Sequence, residues 1–390
     1  MNKPKGYQIC NRCVMDTSDP DIEFDENGIC SHCHKYDIIS QNLPYSLSSH
    51  EKKERLKELL KKIQNNGRGK QYDCVIGLSG GVDSSYLAYL TKREFGLRPL
   101  AVHLDNGWNS ELAIQNIEHI CKKLDIDLQT YVIDWEEFRD IQLAFLYAST
   151  PDSEIPTDHA IFTMWRQIPE QIGVMYFLCG SNTATESTSV KAWSQGHSNW
   201  NYIKTIHQKF GHKKIKTFPH FTKRDLFKWT KIKGIQVINI LDYVDYDKQE
   251  AKKILIDELG WTDYGGKHYE SLYTKFYQAY ILPQKFGYDK RRMHLTSLIH
   301  SHQISRDEAL QELQKPLYNE QELKEDMQYV LNKLGITEDD FQKIMELPKK
   351  TIQDYQEEVE NGSDLYSDRI YYLFGNIYNR VISMIFRIIR

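Results

Sequence analysis

The chain has 390 residues and a mass of 46.0 kDa, and its 50 basic and 54 acidic side chains give a formal charge of −4. This length predicts two or three domains, and the small acidic excess argues against a dedicated nucleic-acid binder. The sequence has no apolar run long enough for a membrane-spanning helix, and its polar start lacks the pattern of a secretory signal. We therefore expect a cytoplasmic protein without a membrane span.

The first distinctive feature is a cluster of cysteines in a predicted N-terminal element, residues 1–45. Cys10, Cys13, Cys30 and Cys33 form two C-x2-C pairs separated by sixteen residues. This spacing is typical of two knuckles that bring four thiolates to a tetrahedral Zn²⁺. A redox pair and an iron–sulfur cluster are the alternatives, and four thiolates at this spacing favour structural zinc. The neighbouring histidines are interpreted as bystanders.

A charged connecting helix is predicted next, within residues 46–69, because apolar residues recur at helical spacing from 50 to 66. Short apolar runs then alternate with helical segments, which is the pattern of a parallel sheet with helices on both faces. The sequence therefore predicts an α/β domain over residues 70–247. Its strands are expected at 72–78, 98–104, 128–133, 174–179 and 235–240, with helices at 84–95 and about 110–124.

From about residue 248 the strand signals stop, and charged periodic segments at 250–259, 306–313 and 320–334 predict a mainly helical C-terminal region, residues 248–390. The final stretch, 369–390, is apolar with interspersed arginines. A membrane-surface helix is one interpretation. Docking on the domain or on a partner subunit is favoured, because Gly375 and Asn376 interrupt the stretch.

The loop between the first predicted strand and the next helix carries the string S-G-G-V-D-S-S, which has chemical meaning. Adjacent glycines let the backbone approach a ligand closely, and a helix N-terminus supplies N–H donors and a positive dipole end. Pyrophosphate would fit there, with Asp83 holding Mg²⁺ against the phosphates. A glycine-rich turn capped by Ser84 is the alternative, and the missing Walker sequence argues against a kinase. The predicted ATP and pyrophosphate ligands in this loop are Ser79, Gly80, Gly81, Asp83, Ser84 and Ser85.

This string resembles the signature of the PP-loop ATP pyrophosphatases, and the resemblance covers roughly residues 71–243. It implies the fold of the adenine nucleotide alpha hydrolases and a reaction that cleaves ATP to AMP and pyrophosphate while adenylating a carbonyl oxygen. It further implies that Asp105 recognises adenosine, although an Asp-Asn-Gly turn is an alternative. Gly180, Asn182 and Glu186 resemble the loop over the adenylated substrate, for which an exposed polar loop is the alternative.

The cysteine element and the blocks at 155–159, 265–271 and 285–292 together resemble the N-acetyl sugar amidotransferases. This resemblance implies that the acetamido oxygen of a nucleotide-linked N-acetyl sugar is adenylated and replaced by ammonia. The acetamidino sugar would enter bacterial lipopolysaccharide or flagellin glycans. A cap, a salt bridge or a solvated cation is the alternative role for each candidate residue. The implied catalytic residues are Asp83, Asp158, Glu186 and Lys285, with His159 as a further candidate, and the implied phosphate or substrate ligands are Lys267, Lys290 and Arg291.

The source of ammonia is inferred from motifs that are missing. Position two is Asn2 and not a nucleophilic cysteine, and Cys179 lacks the glycine of a nucleophile elbow. We therefore expect a separate glutaminase subunit, docked on the cysteine element or the helical C-terminal region. A tRNA thiolase of the same superfamily is the alternative, kept open by Cys179, and a nucleotide sensor without chemistry is a second one. The expected cofactors are ATP, Mg²⁺ and structural Zn²⁺, and residues 193–220 are a predicted specificity loop.

Overall fold

The computed structural model describes residues 6–266 and 269–361. Its centre is a sheet of five parallel strands in the order β3-β2-β1-β4-β5. The sheet and the helices around it confirm the predicted α/β fold class. Each predicted strand is present with ends shifted by a few residues. The strands are Cys74–Gly77 (β1), Pro99–Asp105 (β2), Asp127–Val132 (β3), Tyr176–Cys179 (β4) and Gln236–Asn239 (β5).

Helices cover both faces of the sheet and make up most of the C-terminal region. The predicted connecting helix begins at the capping box of Ser48 and Glu51. Short π-helical segments occur at Leu90–Glu94, Lys228–Ile232 and Tyr277–Phe286, and 3₁₀ turns at Ile240–Tyr243 and Ile352–Tyr355. The α-helices are Ser31–Ser40 (α1), Ser49–Gly67 (α2), Val82–Tyr89 (α3), Glu111–Leu124 (α4), Trp135–Ala148 (α5), Ile155–Ile172 (α6), Thr183–Glu186 (α7), Trp200–Phe210 (α8), Lys223–Phe227 (α9), Lys248–Leu259 (α10), Leu272–Phe276 (α11), Arg291–His300 (α12), Arg306–Gln314 (α13), Glu320–Leu334 (α14), Glu338–Glu346 (α15) and Gln356–Asn361 (α16).

The alternation of side chains along β1 explains why helices pack on both faces. Ile76 points into a core with helices α2, α3, α4 and α10, whereas Val75 points to the opposite core, where α6 contributes Met164. Successive strand residues face opposite sides, so a strand buried on both sides carries a continuous apolar run. Helix α10 packs on α3 although it lies beyond the predicted boundary at residue 248.

A further core joins the C-terminal helices to the α/β domain. Phe138 of α5 and Tyr202 of α8 belong to the same buried cluster as Tyr273 of α11 and Val330 of α14. The C-terminal region is therefore built onto the flank of the sheet domain. The predicted terminal helix at 369–390 lies outside the described residues. Within residues 6–266 and 269–361, no helix combines the length and apolarity needed to cross a bilayer.

Candidate active site and metal centre

A cavity of about 450 Å³, here called cavity one, opens at the carboxyl ends of the central strands. Strands β2 and β3 lie on one side of β1, and β4 and β5 lie on the other, so the strand order changes direction next to β1. Ligands of open α/β sheets bind at such a switch point. The loop after β1 and the loop after β4 both line the cavity. Helix α6 completes its walls together with residues 263–266, Glu270, Ser271, Thr274, Gln278 and Lys290.

The loop of residues 79–85, called the PP-loop below, forms a tight turn against the start of α3. Gly80 has φ +83°, and a Cβ atom there would lie 2.7 Å from the carbonyl oxygen of Ala113. The hydroxyls of Ser79 and Ser84 are 3.1 Å apart, and no side chain caps the N-terminus of α3 at Gly81. Its first N–H groups therefore remain available at the cavity, as an anion site at a helix N-terminus requires.

The loop after β4 lies directly on the PP-loop. A Cβ atom on Gly180 would lie 3.1 Å from the amide nitrogen of Ser84, so this close approach favours a glycine. Asp83 accepts a hydrogen bond from the hydroxyl of Tyr246, and burial raises the pKa of that tyrosine. Asp83 and Glu186 both line cavity one. Their oxygens suit Mg²⁺, which is commonly held by one or two carboxylates together with substrate phosphates.

The end of β2 is organised around a buried histidine. Nδ1 of His103 donates to the carbonyl of Leu78 at 2.9 Å, and Nε2 accepts from the side-chain amide of Asn109 at 2.9 Å. Burial lowers the pKa of His103, which agrees with a neutral ring. Asp105 accepts from the amide of Gly107 and from Asn109, and it does not line the cavity. In this structure Asp105 organises the turn, and its contact with adenosine stays a prediction.

Cavity one ends in a group of three carboxylates, Asp152, Glu154 and Asp158, called the acidic end below. Nε2 of His197 lies 3.2 Å from Asp152 Oδ2 and 3.4 Å from Asp158 Oδ2. Lys290 lines the same end. Burial raises the pKa values of all three carboxyls, and the charge of Lys290 opposes this effect at each of them.

The three carboxyls of the acidic end titrate differently because their partners differ. Burial raises the pKa of Asp158 to about 6 and also raises that of Glu154. Asp158 lines cavity one and keeps 42% of its side chain exposed. Burial opposes ionisation of Asp152 too, yet the charge of Lys290 and hydrogen bonding by His197 lower its pKa to about 2. The site therefore combines a permanent anion with a carboxyl that titrates near neutrality.

The structure does not bring all predicted site residues to cavity one. Lys285 is buried, its ammonium donates to the carbonyl of Ile344, and burial lowers its pKa to about 8. Arg291 is held by Asp289 and by main-chain carbonyls near the end of α13. Neither lines the cavity. Lys267 lies outside the described residues.

Three further predicted residues support the site from behind it. Ser85 is fully buried, and Asn182 caps α7 through the amide of Thr185. His159 is also buried, since its Nδ1 donates to the carbonyl of His197 and its ring stacks on Phe221. Burial lowers its pKa to about 4. His159 therefore packs as a neutral core residue, not as the proton acceptor expected from the sequence.

The four N-terminal cysteines converge on one point. Their sulfur atoms all lie within 4.8 Å of one another, and three of the pairs are 3.6–3.7 Å apart. A tetrahedron with zinc–sulfur bonds of about 2.3 Å has edges of about 3.8 Å, so the spacing fits a Zn²⁺ ion. His32 and His34 pair instead with Asp19 and Asp25. The cluster is compatible with zinc, and four thiolates would hold it as a structural ion.

The cysteine cluster is anchored on the C-terminal region. Nε2 of His300 lies 3.3 Å from the sulfur of Cys33, and the Arg306 guanidinium donates to the carbonyls of Cys10 and Cys13. His300 ends α12, the helix that starts directly after Lys290. The cluster therefore braces the helix next to the acidic end of cavity one.

Sequence reasoning missed Asp152, Glu154 and His197 as site residues. Asp152 and His197 are separated by 45 positions and meet only because α6 and the stretch before α8 fold against each other. No local motif marks either residue. His197 does fall within the predicted specificity loop, residues 193–220. Part of that loop forms α8, which packs on α5.

Comparisons with known proteins agree with this architecture. Residues 51–145 match the family model described as NAD synthase, and residues 270–367 match the model described as LPS biosynthesis protein WbpG-like, C-terminal domain. The two matches fall on the PP-loop half of the sheet and on the C-terminal wall of cavity one. Together they support a PP-loop amidotransferase-like family, as the sequence predicted.

Among curated proteins, the chain is 24% identical over 316 residues to an uncharacterized protein of Methanocaldococcus jannaschii, covering 79% of this chain and 93% of that protein. Among solved structures, it is similar to an NH3-dependent NAD synthetase from Campylobacter jejuni, with 18% identity and a TM-score of 0.27. That match covers 35% of this chain and 58% of that chain. The NMN synthetase from Francisella tularensis shows 19% identity and a TM-score of 0.27, over 59% of this chain and 93% of that one.

Proposed function

We propose that the protein is an ATP-dependent amidotransferase that acts on a nucleotide-linked N-acetyl sugar. The acetamido oxygen is adenylated, and ammonia then replaces it to give an acetamidino sugar for a bacterial surface glycan such as lipopolysaccharide or a flagellin glycan. The proposed location is the cytoplasm.

This proposal rests on the observation that residues of the PP-loop and of the C-terminal region line the same cavity. Ser79 and Asp83 of the PP-loop line the same cavity as Ser271, Thr274 and Lys290. The latter three belong to the segment that matches the LPS biosynthesis model. A nucleotide on the PP-loop and a group held by the C-terminal wall would therefore meet inside one cavity, which favours transfer of AMP between them.

The reaction follows from the groups that the cavity presents. The amide oxygen attacks the α-phosphorus of ATP, pyrophosphate leaves, and an O-adenylyl imidate forms. Ammonia adds to the imidate carbon, a proton is lost, and AMP departs with the former acetamido oxygen. The helix N-terminus and the hydroxyls of Ser79 and Ser84 would bind the pyrophosphate, and Mg²⁺ held by Asp83 would neutralise phosphate charge.

The residues of the acidic end would attract ammonium and accept a proton from the attacking nitrogen. Asp152 is an anion at neutral pH because its pKa is lowered to about 2, and it would attract ammonium. Asp158, with a pKa of about 6, would accept the proton that the attacking nitrogen loses. Lys290, at the same end, would offset the negative charge that grows on the departing AMP. We expect a separate glutaminase subunit to deliver the ammonia.

Release of pyrophosphate from Mg-ATP tests this function. The purified protein is supplied with ammonium chloride and either UDP-linked di-N-acetylated sugars, CMP-linked nonulosonic acids or bulk tRNA. We expect release only with a sugar nucleotide, and mass spectrometry should find a product about one mass unit lighter. Turnover driven by glutamine with the isolated chain would contradict the separate glutaminase.

A tRNA thiolase is the remaining enzyme class, because Cys179 lines cavity one. Burial raises the pKa of this thiol, however, and its sulfur lies 3.2 Å from the hydroxyl of Ser181. A thiol that stays protonated is a poor nucleophile. Pyrophosphate release driven only by tRNA would favour this alternative.

A further inference from the structure

A second cavity, of about 350 Å³, lies on the other side of the acidic end and is called cavity two below. Asp152 lines both cavities, so the two adjoin at this residue. Ser194 lines cavity two and donates to Asp152. The other walls come from the turn at Pro20, from Tyr288 and from residues 349–353.

Cavity two is lined by cations. Lys191, Lys349 and Lys350 contribute to its walls, against Asp21 and the buried Asp152. Within the described residues, no ion pair is formed by Lys191 or Lys349, and both are exposed. The buried Lys285 has its pKa lowered by burial and secondly by the charge of Lys349, which places a fourth cation nearby.

Aromatic and hydroxyl groups complete the lining. The Tyr288 ring stacks on Trp193 with centroids 5.1 Å apart and on Phe286 with centroids 6.0 Å apart, and the residue is partly buried. Thr351 and Gln195 provide polar groups. A partly buried aromatic ring, several lysines and neutral polar groups together suit a phosphorylated nucleoside, whose base makes an aromatic contact and whose phosphates need cations. The volume lies within the range of about 300–1,000 Å³ that is usual for small-molecule sites.

Cavity one leaves little place for a second nucleotide. Its volume of about 450 Å³ suits one ligand of nucleotide size, and ATP bound at the PP-loop would be that ligand. The acidic end sets three carboxyls against the cation Lys290, and the proposed reaction uses Lys290 for the phosphate of AMP, so the diphosphate of a sugar carrier would lack a cation there. The sugar must nevertheless reach that end to be adenylated, so its carrier needs a neighbouring cationic space.

We propose that cavity two binds the phosphorylated nucleoside carrier of the sugar substrate. Lys191 and Lys349 bind the phosphates, Tyr288 contacts the base, and the sugar extends past Asp152 into the acidic end of cavity one. Sugar hydroxyls then take over hydrogen bonds that Asp152 now accepts from Ser194 and His197. This inference rests on the proposed function for the identity of the sugar, but the nucleotide site itself can be tested separately.

The test measures binding of UDP and of CMP by calorimetry, with α,β-methylene-ATP present at saturation to fill the nucleotide end of cavity one. The variants are Lys191→Ala, Lys349→Ala and the double variant. Lys343→Ala is the matched control, because Lys343 is 75% exposed and pairs with Asp340 on its own helix. We expect one of the two nucleotides to bind the wild type and each single variant to bind it about tenfold more weakly, the loss expected for one charged hydrogen bond.

Turnover provides the second readout. In the lysine variants, KM for the sugar nucleotide should rise by the same factor, while KM for ATP and kcat stay unchanged. Equal nucleotide binding in the double variant and in Lys343→Ala, or a wild type that binds neither nucleotide, would overturn the proposal. A rise in KM for ammonium alone would overturn it as well and would assign cavity two to ammonia entry.

The nucleotide site and the proposed function can fail separately. If UDP or CMP binding depends on the lysines but no N-acetyl sugar nucleotide drives pyrophosphate release, the carrier site stands and the acetamido chemistry is wrong.

Discussion

Replacing Asp158 by asparagine removes a titrating carboxyl from cavity one while preserving its size. Asp158 has a pKa of about 6, so about 9% of it is ionised at pH 5 and about 90% at pH 7. If the carboxylate accepts the proton from ammonia, kcat/KM for ammonia should rise about tenfold over that interval in the wild type. This rise of kcat/KM with pH is called the acid limb below. The Asp158→Asn variant should lose the acid limb and should be about a hundredfold or more less active.

The assay is pyrophosphate release between pH 5 and pH 8 at a fixed concentration of free ammonia. Glu154→Gln is the matched control, because Glu154 lies in the same cavity but accepts hydrogen bonds from Thr274 and Gln278. It should retain the acid limb. An Asp158→Asn variant that keeps both the limb and the wild-type rate would refute the assignment of Asp158 as the proton acceptor.

Replacing His197 should change the pKa of Asp158 in a defined direction. The charge of His197 lowers the pKa of Asp158, against the larger effect of burial. The His197→Ala variant should therefore raise this pKa and move the acid limb to higher pH. A limb that moves to lower pH would contradict the electrostatic description of the acidic end.

Further predictions concern the metal centre, the PP-loop and the buried groups. Cys30→Ser should abolish zinc binding, measured as the zinc content of the purified protein, and lower its melting temperature; retention of one zinc per chain would count against the four-thiolate site. Gly80→Ala should destabilise the fold by about 1–2 kcal/mol in urea unfolding, since φ is +83° and a Cβ atom would lie 2.7 Å from the Ala113 carbonyl oxygen. Cys179→Ser should leave most pyrophosphate release intact, whereas a thiolase that uses this cysteine would be inactive. Asp152 has its pKa lowered from 3.8 to about 2, so it should stabilise the fold above pH 4 and lose this effect as pH falls towards 2; an Asp152→Asn variant with the same pH dependence of unfolding would contradict this.

The strands of the sheet could be predicted because each strand is marked by residues that are neighbours in the sequence. The apolar run around Val75 and the glycines that follow it mark a strand, a turn and a helix start without reference to the rest of the chain. The spacing of the cysteines likewise fixes their convergence. The ends of elements moved by a few residues, and the last turn of the helix after β1 became π-helical at Leu90–Glu94, which periodicity does not reveal.

Side-chain destinations were harder to predict, since they depend on packing between distant segments. Lys285 follows an apolar stretch, and burial of its neighbours draws the ammonium to the carbonyl of Ile344. Arg291 is held by Asp289, two positions earlier, which is a signal that the sequence did contain. Asp152 of the acidic end contacts His197 only after α6 and the segment before α8 meet.

The central claim is that the acetamido oxygen of the sugar is adenylated, and an isotope experiment tests it directly. The sugar nucleotide that drives pyrophosphate release is labelled with ¹⁸O in its acetamido carbonyl and turned over with Mg-ATP and ammonium. Because AMP departs with that oxygen, mass spectrometry should find the label in AMP and the unlabelled amidine in the sugar. Unlabelled AMP beside an amidino product, or label retained in the sugar, would contradict the account.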